Sequence, residues 1–146
     1  VDLDVLRQIA EELIPFNKFL GARLAVAERG RVEMEVPFRD ELVGDAWKPA
    51  LHGGVISALA DTAGGMAVWS VLDAPTQRVS TIDLRIDYLR PGRLEDLVAE
   101  AVVVRAGRSV GVADVRVFHP AARAELIATG KGVYAIKTTR PHSVKQ

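Results

Sequence analysis

The chain predicts an α+β domain in which a curved antiparallel sheet of five to six strands wraps one long helix. Three observations lead there. Hydrophobic residues make up 49% of 146 residues, which suits one core and one domain spanning residues 1–146. One apolar stretch, VISALADTAGGMAVW at 55–69, has the length of a helix and follows a glycine pair. Beyond residue 77 the chain alternates apolar and polar residues between turn signals, which is the period of strands. A sheet curved around the helix is the simplest way to bury both. Such a sheet leaves exposed edges, which favour pairing between subunits.

Residues 1–20 form a helical N-terminal segment. Asp2 or Asp4 caps a first helix running to about Leu13, with Leu3, Ile9 or Ala10, and Leu13 as its apolar stripe. Pro15 interrupts it, because proline lacks an N–H and collides with the preceding turn. PFNKFLG is a second short helix ended by Gly21. Residues 22–28 and 31–36 are strands joined by a turn at Arg29-Gly30, with Val32, Met34 and Val36 on one face. Residues 37–50 are polar and irregular. The central helix covers about 54–72. The next strand, 77–89, places Ile82, Leu84, Ile86 and Tyr88 on one face and Asp83, Arg85 and Asp87 on the other. After a turn at Pro91-Gly92, strands at 94–105 and 109–118 flank a hairpin signal at Gly107. His119-Pro120-Ala121-Ala122 turns the chain into a last strand from about 124 to 137, and residues 140–146 are a loose tail.

Composition excludes several functions. Acids and bases balance at 19 each, which disfavours bulk attraction to nucleic acid or an anionic membrane. The absence of cysteine removes disulfides, thiol nucleophiles and cysteine metal sites, and fits a reducing cytoplasm. The first residues carry acids where a signal peptide needs an apolar run. No apolar segment approaches the roughly 20 residues that span a bilayer. His52, His119 and His142 lack the i, i+4 spacing of a metal site, so no metal is expected. Ser57, Ser80 and Ser109 lack the context of a nucleophile elbow.

The chemistry concentrates in LHGGVISALADTAGG, residues 51–65. Asp61 is a lone acid inside an apolar helix, where burial is costly unless something pairs or uses it. The helix start at Gly53-Gly54 offers free N–H groups that can polarise a carbonyl oxygen. On a helical wheel Asp61 shares a face with small residues, Gly54, Ser57, Ala58, Gly64 and Gly65, together with Val68. The other face, Ile56, Leu59, Ala63, Met66 and Ser70, flanked by Val55 and Ala67, is a core stripe. Asp61 lies about 10 Å along the axis from Gly54. One carbonyl cannot touch both groups of one helix, since a hydrogen bond spans about 3 Å. Both acting on one substrate therefore requires a second subunit and a two-fold dimer.

In order and spacing, PFNKFLG, LHGGVISALADTAGG, DYLRPGR, AGRSVGVADVRV and ATGKGVY resemble the PaaI-type hotdog-fold acyl-CoA thioesterases. The resemblance implies a central helix wrapped by a sheet, homodimers joined edge to edge and often a dimer of dimers. Coenzyme A enters only as part of the acyl-CoA substrate, with no separate cofactor. By position, Asp61 is the general base or nucleophile and the Gly54 N–H polarises the thioester carbonyl. His52 shapes the loop and can reach substrate, and Thr81 positions water. The alternation above places Thr81 on the charged face, a conflict that a bulge would reconcile. Gly53, Ser57, Ala58 and Gly65 border the substrate. Arg90, Arg93, Arg108 and Lys131 are candidates for the nucleotide phosphates. One departure stands out. Relatives often carry Asn or Gln six residues before the motif histidine, where this chain has Ala46, and Trp47 is a candidate wall of the acyl pocket. The expected activity is hydrolysis of an acyl-CoA to free acid and coenzyme A. The alternatives are a non-catalytic acyl-CoA-binding module and a dehydratase or hydratase of the same fold.

Overall fold

The computed structural model describes residues 1–139. A six-stranded antiparallel sheet in the order β1-β2-β4-β5-β6-β3 curves round one long helix, α3 (Gly53–Ser70), which packs against β2 through β6. The strands are β1 (Arg23–Glu28), β2 (Arg31–Val36), β3 (Gln77–Tyr88), β4 (Leu97–Ala106), β5 (Val110–Phe118) and β6 (Ala128–Thr138). The α+β architecture expected from the sequence is present. Gly21 and Gly30, at φ 71° and 85°, adopt the left-handed backbone that ends α2 (Pro15–Leu20) and turns β1 into β2.

Expected boundaries shift where long-range contacts intervene. Asp2, not Asp4, caps α1 (Leu3–Gln8), accepting the Asp4 N–H at 2.8 Å. The helix continues through a π-helical turn, Ile9–Leu13. Leu6 and Ala10 are buried, while Leu13, at the end of that wider turn, is 63% exposed. β4 starts at Leu97 rather than at 94, because buried His119 holds the approach: its Nδ1 meets the Asp96 carbonyl at 2.8 Å and its Nε2 accepts the Arg93 N–H at 2.9 Å. β6 starts at Ala128 rather than at 124. The intervening residues fold over the outer sheet face, where Arg123 covers the Phe118 ring and donates to Glu33 at 2.6 Å. The tail expected at 140–146 lies outside the described residues.

The expected core stripe of α3, from Val55 and Ile56 to Met66, Ala67 and Ser70, is buried. The small-residue face is covered only in part: Gly64 and Val68 are buried, with Tyr134 of β6 laid against Gly64, while Ser57, Ala58 and Gly65 are half-buried and Gly54 is exposed. On the face of the sheet away from α3, buried Glu33 and Glu100 share Arg31, and Arg116 also donates to Glu100. Burial alone would raise the Glu100 pKa, but the hydrogen bonds and charges of Arg116 and Arg31 hold it below the ordinary glutamate value.

The two sheet edges differ. β1 is blunted: the Glu11 carboxylate accepts the Leu24 N–H at 2.8 Å, Arg7 donates to the Leu24 carbonyl, and a bulge lies between Leu24 and Val26. β3 pairs only with β6, and along it Ile82 is 58% and Tyr88 53% exposed. No helix among the described residues is long and apolar enough to cross a membrane.

Candidate active site

Asp61 sits in the third turn of α3, half-buried, with its carboxylate facing β3. Thr81 Oγ1 donates to Asp61 Oδ1 at 2.8 Å. The contact exists because β3 carries its extra residue, Ile82, between Thr81 and Asp83. Thr81 pairs with inward-facing Tyr134, and Asp83 resumes opposite Val133. The bulge thus turns Thr81 to the helix side while Leu84 and Ile86 keep the phase read from the sequence. Tyr134, 1% exposed, donates its hydroxyl to the Asp61 carbonyl at 2.9 Å. Burial, and then the negative charge of Asp61, push its ionisation well above the ordinary tyrosine range, so it remains a donor.

A cavity of about 220 Å³ opens beside Asp61. Asp61, Thr81 and Tyr134 make its polar end, and Phe16, Met66, Trp69 and Val79 make an apolar wall. Asn17 also reaches it, 2% exposed, with Nδ2 donating to the Ala10 carbonyl of the π turn at 2.9 Å. Sequence reasoning passed over Tyr134, Asn17 and Trp69 as site residues. The signal available was the Gly64-Gly65 pair, whose cost in a helix needs a close neighbour.

At the helix start His52 is the N-cap. Its Nδ1 accepts the Gly54 N–H at 2.8 Å and its carbonyl accepts the Val55 N–H at 3.0 Å. A ring nitrogen that accepts leaves the proton on Nε2. Gly44 packs so closely on His52 that a Cβ there would lie 2.6 Å from its Cα. The Gly54 N–H, expected to be free, is therefore occupied. Among the described residues the Gly53 N–H makes no hydrogen bond, while the Gly53 carbonyl accepts from Tyr88 at 3.2 Å. The donor available at this terminus is the Gly53 N–H. It lies eight residues from Asp61, about 12 Å along the same axis.

The other candidates are spread over the surface. Asp45 closes a turn by accepting the N–H of Trp47 at 2.8 Å and of Lys48 at 3.1 Å. Those two hydrogen bonds lower its pKa. Ala46 lies in that turn and offers no amide, and Trp47 is 94% exposed and lines neither this cavity nor the helix start. Ser57 donates back to the Gly54 carbonyl at 3.2 Å, Ala58 packs on the core, and Gly65 lines the cavity. Arg90 and Arg93 converge on Glu125 at 2.9 and 3.9 Å. Arg90 also lines a hollow of about 360 Å³ with Gly53 and Tyr88, at the helix start. Arg108 lies apart, with Arg105 at the β4–β5 hairpin, and Lys131 pairs with Asp114 at 2.7 Å on the outer face.

This arrangement of helix and sheet recurs in known proteins. Residues 49–124 match the thioesterase superfamily. The medium/long-chain acyl-CoA thioesterase YigI of Escherichia coli is 40% identical over 118 residues, 73% of this chain and 76% of YigI. The crystal structure of a thioesterase family protein from Silicibacter pomeroyi superposes with a TM-score of 0.84 at 26% identity, over 94% of this chain and 99% of that one. A Shewanella oneidensis protein related to the superfamily gives 0.82 at 28%, over 92% and 95%. The wrapped helix is the hotdog fold, and with the match running from the loop before His52 through Asp61, Thr81 and β5, the chain belongs to the thioesterase superfamily.

Proposed function

We propose that the protein hydrolyses acyl-CoA thioesters to a free acid and coenzyme A. The observation that carries this is a carboxylate, Asp61, held by the Thr81 hydroxyl at the mouth of an apolar cavity. An acyl chain fits the wall, and its thioester carbon falls beside the acid. The Thr81 hydrogen bond engages Oδ1 and leaves Oδ2 for water. Asp61 either takes a proton from that water as the new C–O bond forms, or attacks the carbonyl carbon itself. In the first route the tetrahedral oxyanion collapses, the C–S bond breaks, and the thiolate leaves with a proton. In the second the same collapse leaves a mixed anhydride, which water opens.

The oxyanion needs a donor within about 3 Å, and the Gly53 N–H of the same helix is too far along the axis. A second copy supplies it. The bare β3 edge, with exposed Ile82 and Tyr88, is the surface that fits such pairing, since β1 is already covered. His52, by capping Gly54, fixes the loop and leaves the Gly53 N–H and its own Nε2–H as donors for substrate. Arg90, in the hollow beside Gly53, is placed for a phosphate of the coenzyme.

The test is thiol release from aryl, short, medium and long acyl-CoAs by the native chain and by Asp61→Asn. Turnover that falls by about a thousandfold or more in the variant supports hydrolysis by Asp61. Saturable binding with no release from any substrate would instead support a binding module, a reading favoured by Ala46 standing where an amide is usual.

A further inference from the structure

A second cavity, of about 280 Å³, lies between α1 and the segment joining α3 to β3, with Val5, Ile9 and Pro75 as its apolar lining and Asp2, Asp73 and Arg78 at its polar side. Among the described residues, Trp69 is the one that lines both this cavity and the one at Asp61. The indole is a fixed partition. It packs against both halves of the hydrophobic core, and the Arg78 guanidinium lies over its ring at 6.0 Å. Arg78 is itself held by the carbonyls of Pro75 and Gln77 at 3.1 and 3.0 Å.

We infer that Trp69 sets the length of the acyl chain the enzyme accepts, by closing the Asp61 cavity off from the second one. The inference rests on the hydrolytic reading above and adds the substrate class. Trp69 lies eight residues beyond Asp61, about 12 Å along α3. An extended chain advances about 1.2 Å per bond, so about ten bonds reach the indole. A cavity of about 220 Å³ holds about seven water-sized groups at roughly 30 Å³ each. The two measures bracket a medium-chain acyl group of about seven to eleven carbons. Without the indole the tail gains the second cavity, which more than doubles the room.

The experiment measures kcat/KM and Kd for acyl-CoAs of about four to about sixteen carbons, on the native chain, Trp69→Ala, Trp69→Leu, and Trp69→Ala with Val5→Trp. Each newly buried methylene is worth about fourfold. The ratio of long-chain to eight-carbon kcat/KM is therefore expected to rise at least tenfold in Trp69→Ala, and less in Trp69→Leu. Val5→Trp, which refills the second cavity from an exposed position, should return the ratio toward native. A ratio unchanged in Trp69→Ala and Trp69→Leu, while short substrates still turn over, overturns the inference. So does a shift that Val5→Trp leaves in place. If the native chain releases no thiol at any length, the hydrolytic reading fails instead. The same comparison made on Kd then decides the role of Trp69.

Discussion

Gly64 and Gly65 are adjacent in one helix, yet alanine at each should have opposite effects. Glycine in a helix interior costs about 1 kcal/mol relative to alanine, so both substitutions start with that gain. At Gly65 the new methyl would meet Tyr134 Cε1 at 3.5 Å, an ordinary contact, and the gain stands. At Gly64 it would lie 2.1 Å from Tyr134 Oη and 2.8 Å from Cζ. Tyr134 has little room to retreat, because Gly132 is equally tight against the same ring, where a Cβ would meet Oη at 2.3 Å. Overpacking of this kind costs about 1–3 kcal/mol. Displacing the ring also breaks its hydrogen bond to the Asp61 carbonyl, worth about 1 kcal/mol. The net expectation is a destabilisation of about 1–3 kcal/mol for Gly64→Ala and a stabilisation of up to about 1 kcal/mol for Gly65→Ala. Urea unfolding at neutral pH reads both. Because the bad contact is with the hydroxyl, Tyr134→Phe should recover part of the loss in Gly64→Ala, and the double-mutant cycle measures the coupling. Equal stabilities for the two alanine variants, or additive effects of Gly64→Ala and Tyr134→Phe, would refute the packing account.

Two further outcomes follow from single contacts. Thr81→Val removes the hydroxyl on Asp61 Oδ1, and a hydrogen bond to a charged group is worth about 1.5–3 kcal/mol. Thiol-release kinetics should show kcat reduced about tenfold or more with little change in thermal stability, and Thr81→Ser should retain activity; a fully active Thr81→Val would remove Thr81 from the mechanism. Glu100 has a folded-state pKa below its ordinary value of 4.5, so its ion pairs contribute stability above about pH 4.5 that is lost as pH falls through the folded value. Glu100→Gln should cost about 1–2 kcal/mol at pH 7 in denaturant unfolding, with the gap to native shrinking below about pH 4.5, whereas a gap constant down to about pH 3 would show that the pairs contribute nothing.

The local features were legible before any tertiary contact was known. Gly21 and Gly30 ended elements where positive φ was needed, the glycine pair at 53–54 marked the start of the long helix, and Asp61 stood out because a lone acid in an apolar helix requires a reason. The strand periodicities placed β2 at its observed limits and all six strands in order. What failed locally was phase. Leu13, at the end of the π turn Ile9–Leu13, is exposed where burial was expected, while Leu6 is buried unforeseen, and the bulge at Ile82 moved Thr81 to the helix face. Neither irregularity has a signature in its own residues, because each is set by what the backbone packs or pairs against. The aromatic wall shows the same thing. Trp47 lies in the motif loop but is 94% exposed in the chain, while Trp69, read only as the end of a helix, divides two cavities.

The amino-acid sequence by itself determined the composition of the core, the order of helix and strands, and the place of a lone acid in the helix that a glycine pair opens. Those depend on periodicity and on capping, which act over a few residues. The tertiary structure alone decided that the Gly54 N–H is spent on His52 while the Gly53 N–H has no partner among the described residues, and that Thr81 and Tyr134 hold the two ends of Asp61. It also decided that β1 is covered and β3 is bare. Hydrogen-bond partners distant in sequence compete for each donor and acceptor, and only the folded chain determines which of them come within about 3 Å.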